Sequence, residues 1–157
     1  MRFNRRMRTL AIGALLLIVC TSCGRNRPHP LAKSAKLEVY AVAASGAAGT
    51  SAIVDPQTGA MISLALPPIL TSADVATVQR SEDSPGGPAF AVKLTPVGAK
   101  KLASATTPAS GQQVAILVNG KVAAVPKVMT TISDSFIISG SSIAKDREEI
   151  FAALTEE

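Results

Sequence analysis

Apolar residues alternate with others from Leu37 to Ser45, placing Leu37, Val39, Ala41 and Ala43 on one face, and a period of two predicts a strand. Ser51 to Asp55 and Ala60 to Pro67 flank Pro56-Gln57-Thr58-Gly59, where proline presets the turn and glycine supplies a positive φ; the pattern predicts a hairpin. Thr71-Ser72-Ala73-Asp74 has the spacing of a capping box ahead of Val75 and Val78, which predicts a short helix from Ser72 to Arg80. The Ser84-Pro85-Gly86-Gly87-Pro88 cluster reads as a loop that delivers the chain to a strand at Ala89 to Leu94.

From there the local chemistry is more explicit. Thr95 is placed to cap a helix whose first position is Pro96, where the missing N–H costs nothing. Gly98, one turn in, costs about 1 kcal/mol of propensity against Ala, which points to close packing of that turn on the sheet. Either Val97, Leu102 and Ala105 or Ala99 and Ala103 form the buried stripe, with Lys100 and Lys101 outward and Pro108 and Gly111 ending the helix. Gln113 to Val118 and Lys121 to Val125 are joined by Asn119-Gly120, a strong hairpin signal because both turn residues need positive φ. Pro126 keeps the second strand from continuing as a central ladder member. Phe136 to Ser139 is a last strand, and Ile143, Ile150 and Leu154 recur at helical spacing in a final helix. The sum predicts an α+β fold: one small domain, residues 36–157, with an antiparallel-rich sheet packed by two to three helices.

Four fixed words in this half, LTPVGA (Leu94 to Ala99), AILVNGKV (Ala115 to Val122), Pro126 and ISG (Ile138 to Gly140), resemble the head subdomain of the first periplasmic domain of SecD, the bacterial protein-export subunit. The resemblance is specific from about Phe90 to Leu154 and implies the order strand, helix, hairpin, strand, helix. It also implies a short helix ahead of Phe90, and a domain without catalytic residues that contacts emerging unfolded polypeptide. SecD continues into a transmembrane bundle driven by the proton gradient; this sequence stops at Glu157, so no motor role is expected of it alone.

Residues 1–22 read as an export signal. Arg2, Arg5, Arg6 and Arg8 precede the apolar run Leu10 to Val19, which is too short to span a bilayer, for which about 20 residues are needed. Thr21 and Ser22 before Cys23 fit a lipoprotein cleavage box, although Cys20 stands where such boxes usually have Leu; an ordinary secretory signal is the alternative. Cys23 is therefore the expected lipidation site, giving a diacylated N-terminus and an extracytoplasmic domain held at the membrane. Removing the signal takes four arginines and no acid, leaving 12 basic against 11 acidic residues, a balance that gives nucleic acid no clustered charge to meet. Residues 23–35, with Pro28 and Pro30 and no period, read as a lipidated tether, and His29 within it as a solvated linker residue.

The residue inventory argues against chemistry. With His29 the single histidine and no thiol left after lipidation of Cys23, neither a Ser-His-Asp arrangement nor a metal cluster can be assembled, and no cofactor or small-molecule substrate is expected. Asp55 sits at a turn, Asp74 caps, and the adjacent Glu82 and Asp83 are read as solvated. The expectation is a non-catalytic, lipid-anchored module that contacts exported polypeptide, Sec proteins or another envelope protein. An accessory subunit that docks on an assembly without holding a client is the alternative. The proposed contact edge is Lys121, Val125, Pro126 and Lys127, where a strand edge could accept an extended partner strand.

Overall fold

The structure, a computed structural model, describes residues 27–82, 87–107, 111–139 and 141–155. The signal segment, Cys23 and the start of the tether, Asp83, residues 84–86, Pro108 and Gly140 lie outside the described residues, as does the side chain of Ile143. Among the described residues no helix is long and apolar enough to cross a membrane.

Alternation sets the first layer. β1 (Leu37–Ala43) pairs antiparallel with β6 (Val114–Val118), Leu37 opposite Val118 and Ala41 opposite Val114. The predicted hairpin is β2 (Thr50–Val54) and β3 (Met61–Ala65), and β7 (Lys121–Ala124) closes the order β2-β3-β1-β6-β7. At the β2–β3 turn the Asp55 carboxylate accepts from the Gln57 N–H at 2.9 Å and the Thr58 hydroxyl at 2.8 Å, so this buried acid holds a turn. All five residues of β6 are buried: Val114, Ile116 and Val118 face the main core, while Ala115 and Leu117 join Leu64 and Val122 in a second apolar cluster. A continuous apolar run is what a strand covered on both faces requires.

The expected single sheet is two. β4 (Val75–Glu82), β5 (Pro88–Leu94) and β8 (Ser135–Ser139) form a separate sheet, order β4-β5-β8, and Val78, Phe90, Val92 and Ile138 meet Leu37, Val39 and Ile116 in the main core. β4 also replaces the helix expected at 72–80. The capping signal serves only one 3₁₀ turn, Ser72–Asp74, where the Asp74 carboxylate accepts from the Thr71 N–H at 3.0 Å. Beyond it Val75, Thr77 and Val78 are β-branched and find a ladder in β5, from Val75 opposite Leu94 to Glu82 opposite Pro88.

α1 (Pro96–Thr106) starts as expected, the Thr95 hydroxyl accepting from the Gly98 N–H at 3.1 Å. Its buried face is Gly98, Leu102 and Thr106, a third stripe; Val97 is exposed and the alanines are only half-buried. The close approach of Gly98 is to the 3₁₀ turn, not to a strand. Lys101, expected outward, reaches back to Asp74 at 2.8 Å. Burial alone would push the Asp74 carboxyl up; the Lys101 ammonium together with the Thr71 N–H and hydroxyl outweighs it and holds the group below its ordinary value. A lowered folded pKa contributes stability above the unfolded value of about 3.9 that is lost as pH falls through the folded one. Asp74→Asn should therefore cost about 2 kcal/mol near neutral pH and flatten the loss of stability below about pH 4, read from denaturation midpoints across pH.

The β6–β7 turn has positive φ at both centres, Asn119 at 50° and Gly120 at 78°. Nothing lies within 4 Å of a Cβ built on Gly120, so Gly120→Val should cost at least about 1 kcal/mol through backbone strain alone, seen as a lower denaturation midpoint of residues 27–157.

α2 (Ser141–Thr155) kinks at Asp146 and buries Phe151 and Leu154, with Ile150 half-buried. Phe151, absent from the expected stripe, is fully buried, stacks with Phe90 at 5.8 Å between ring centroids and carries the Arg80 guanidinium 3.7 Å above its ring.

The tether expectation fails for residues 29–35. His29 exchanges two backbone hydrogen bonds with Val78, both 2.8 Å, and its ring meets Phe151 edge-on at 5.6 Å. The Ala32 N–H donates to the Leu154 carbonyl at 2.7 Å, and Ala32 and Ala35 are buried. Small side chains and main-chain bonds let a polar, proline-containing segment dock without an apolar pattern of its own.

Candidate binding groove and sheet edge

β7 is the outermost strand of the five-stranded sheet, so it has a ladder partner on one side only. The turn that starts it is fixed to the sheet: the Asn119 side-chain carbonyl accepts from the Lys36 N–H at 2.8 Å, and the Asn119 N–H donates to the Lys36 carbonyl at 2.7 Å. Lys121, Pro126 and Lys127 are exposed and Val125 is half-buried, packed against the second apolar cluster.

Pro126, expected to keep the strand from continuing as a central ladder member, is followed by further pairing with the segment ahead of β6. Its carbonyl accepts from the Val114 N–H at 3.1 Å, Lys127 bridges Gln113, and the Val128 N–H donates to Gln112 at 2.7 Å. The register irregularity between Ile116 and Leu117 lies ahead of the proline, and the inward-facing Pro126 forgoes one N–H donor to β6 while the bonds on either side of Lys127 are kept.

Beside this edge lies a groove of about 590 Å³. One wall is Ile53, Val54 and Pro56 at the end of β2, the second is Val118 to Ala123 around the β6–β7 turn, and the third is Asp146, Glu149, Ile150 and Ala153 of α2. β2 and β7 are the two outermost strands of the same sheet, so the sheet curls until both of its edges border one groove. Val54 is 52% exposed and stands opposite Met61, 66% exposed, giving the groove an apolar extension on the β2–β3 hairpin. Lys121, Asp146 and Glu149 supply the charges of the lining. Sequence reasoning found only the β7 part. Val54 and Met61, two large apolar residues at the ends of a hairpin, were the available signal for the rest.

Such a site can bind by shape, apolar contact and strand pairing. Among the described residues no group of three or more His, Cys, Asp or Glu side chains could hold a metal. Asp55 is engaged in its turn, Asp74 in its ion pair, and Asp134 accepts from the Ser133 and Ser135 hydroxyls at 3.4 and 3.3 Å. His29 lies at the other sheet, against Phe151.

The family model described as the SecDF P1 head subdomain matches residues 49–156. The chain is similar to protein translocase subunit SecDF of Thermus thermophilus, 34% identical over 89 residues, or 56% of this chain and 12% of that protein. It is also similar to protein translocase subunit SecD of Acidaminococcus fermentans, 36% identical over 83 residues, 52% of this chain and 20% of that one. The chain thus matches a fifth or less of these curated relatives. Among solved structures, SecDF in a super-membrane-facing form superposes with a TM-score of 0.57 at 26% identity, covering 76% of this chain and 18% of that chain. A structure from work on SecDF as a membrane component that enhances protein export gives 0.55 at 24% identity, with coverages of 76% and 61%, and shows the shared fold.

Proposed function

Since the chain belongs to the SecDF P1 head subdomain family, we propose that it is a non-catalytic, lipid-anchored extracytoplasmic module that holds exported polypeptide in an extended conformation. The observation that carries this reading is the groove bordered by both edges of one curled sheet. An exported chain that has not folded offers unpaired backbone and apolar side chains together. A strand edge satisfies the first and an apolar trough the second, which is binding by β-augmentation. Sequence tolerance follows, because main-chain bonds are common to every segment and the apolar walls ask only for side chains of moderate size.

The family supports the setting: its relatives are named as translocase subunits, and one solved relative is described as enhancing protein export. The anchor is Cys23, which keeps the groove on the outer side of the membrane where translocated chains emerge. No reaction is assigned to the domain; its activity resides in contact surface.

The test is binding of a labelled, uncharged, apolar peptide to residues 27–157. Ala153→Trp, which fills the groove from an exposed position on α2, and Val54→Lys, which places a charge in its wall, should each weaken binding at least about tenfold, with the denaturation midpoint held. Affinity unchanged in both variants would place binding elsewhere and remove the groove from the account.

A further inference from the structure

Residues 29–35 precede the part of the chain that matches the family model, and they are docked. The contacts reach two separate elements. His29 pairs with Val78 in the middle of β4, its ring rests on Phe151 of α2, and Ala32 is bonded to the carbonyl of Leu154 near the end of α2. Ala35 is buried ahead of β1, and its carbonyl accepts from the Ser72 hydroxyl at 3.0 Å. The segment is therefore a strap across the three-stranded sheet and the last helix, fastened at both ends.

We propose that this strap sets the distance and orientation of the domain at the lipid surface. The inference rests on the anchor at Cys23 put forward above, and only covalent geometry is needed to draw its consequence. With the strap docked, Cys23 is six residues from the first fastened residue, His29, a span of at most about 21 Å. With the strap released, the first fixed residue is Lys36, held by Asn119 and thirteen residues away, and the limit rises to about 46 Å. Docking thus shortens the reach by more than half and turns the β4–α2 face toward the bilayer. α2 presents Phe151 and Leu154 to the core and strap side and Ile150 and Ala153 to the groove, so the orientation leaves the groove away from the strap.

The strap is held by main-chain donors, so proline is the substitution that releases it. His29→Pro and Ala32→Pro together remove the two N–H groups given to Val78 and Leu154, and the only packed side chains they alter are the strap's own Ala32 and His29. The full lipoprotein is reconstituted in phosphatidylcholine vesicles carrying an acceptor dye in the headgroup, with a donor on Glu82→Cys at the exposed end of β4; lipidated Cys23 leaves no other thiol in the mature chain. Energy transfer should be strong in the parent and fall at least about twofold in the double variant. A second variant, with twelve Gly-Ser residues inserted after Asn26, leaves the strap intact and should lower transfer in the same direction, so the reading survives a double variant that does not fold. Fatty-acid labelling is measured alongside: label lost in Cys23→Ala and kept in Cys20→Ala supports the anchor, and label kept in Cys23→Ala overturns the anchor and the spacing with it. With Cys23 labelled, equal transfer in the parent and the insertion variant, or in the parent and a folded double variant, would overturn the strap's role.

Discussion

Phe151→Ala should destabilise the domain by about 3–5 kcal/mol, measured by chemical denaturation of residues 27–157. The ring is fully buried where four parts of the molecule meet: Phe90 of β5 stacks on it, Arg80 of β4 lies over it, His29 of the strap abuts its edge, and α2 carries it. Removing it leaves a cavity that this convergence cannot collapse into without moving both a sheet and a helix. The same change strips Arg80 of its ring partner, although the guanidinium keeps Glu148 at 3.1 Å. Phe151→Leu, which keeps most of the volume, should recover more than half of the loss.

Gly98→Ala should also destabilise, by about 2 kcal/mol, and here the sign is informative. In an open helix the same change gains about 1 kcal/mol of propensity. At Gly98 the added methyl would sit 2.5 Å from the Asp74 carbonyl oxygen and 2.8 Å from its Cβ, and the oxygen cannot swing away because it accepts from the Thr95 N–H at 2.9 Å. α1 would have to lift off the 3₁₀ turn, loosening Lys101 from Asp74. A gain in stability on Gly98→Ala would mean that this contact is not made in solution.

How far the sequence was legible follows from the range over which each feature is determined. Asn119-Gly120, Thr95-Pro96 and Asp55 to Gly59 fold as their residues dictate, because positive φ, a missing N–H and a short acceptor side chain act within a turn. The 72–80 segment was misread because a capping box is satisfied equally by one helical turn or by several. Whether the chain continues as helix is decided by β5, which comes later in the sequence. The division into two sheets is a matter of partners: β1 pairs with β6, and β5 with β8, and alternation within a strand does not say which other strand lies beside it.

The site was half visible. Pro126 and the hairpin marked an edge, but the groove needs β2 and α2, brought there by the curl of the sheet. Residues 29–35 read as a tether because full burial falls on Ala32 and Ala35, which carry little hydropathy, with one apolar neighbour in Leu31, and on main-chain bonds, which carry none. Phe151 was overlooked beside Ile150: both continue a helical stripe through Leu154, and the position of the sheets decides which of them turns fully inward.

The most direct test of the groove as a seat for exported chains is photo-crosslinking in the native envelope, with a benzophenone side chain placed at Val54, at Lys121 or, as a control on the opposite helix, at Val97, which is exposed and away from the groove lining. During active export, Val54 and Lys121 should both trap newly translocated polypeptide of mixed sizes, and the products should disappear when export is halted, while Val97 traps little. Crosslinks from the two groove positions to a single resident envelope protein, unchanged when export stops, would contradict client binding and assign the groove to assembly.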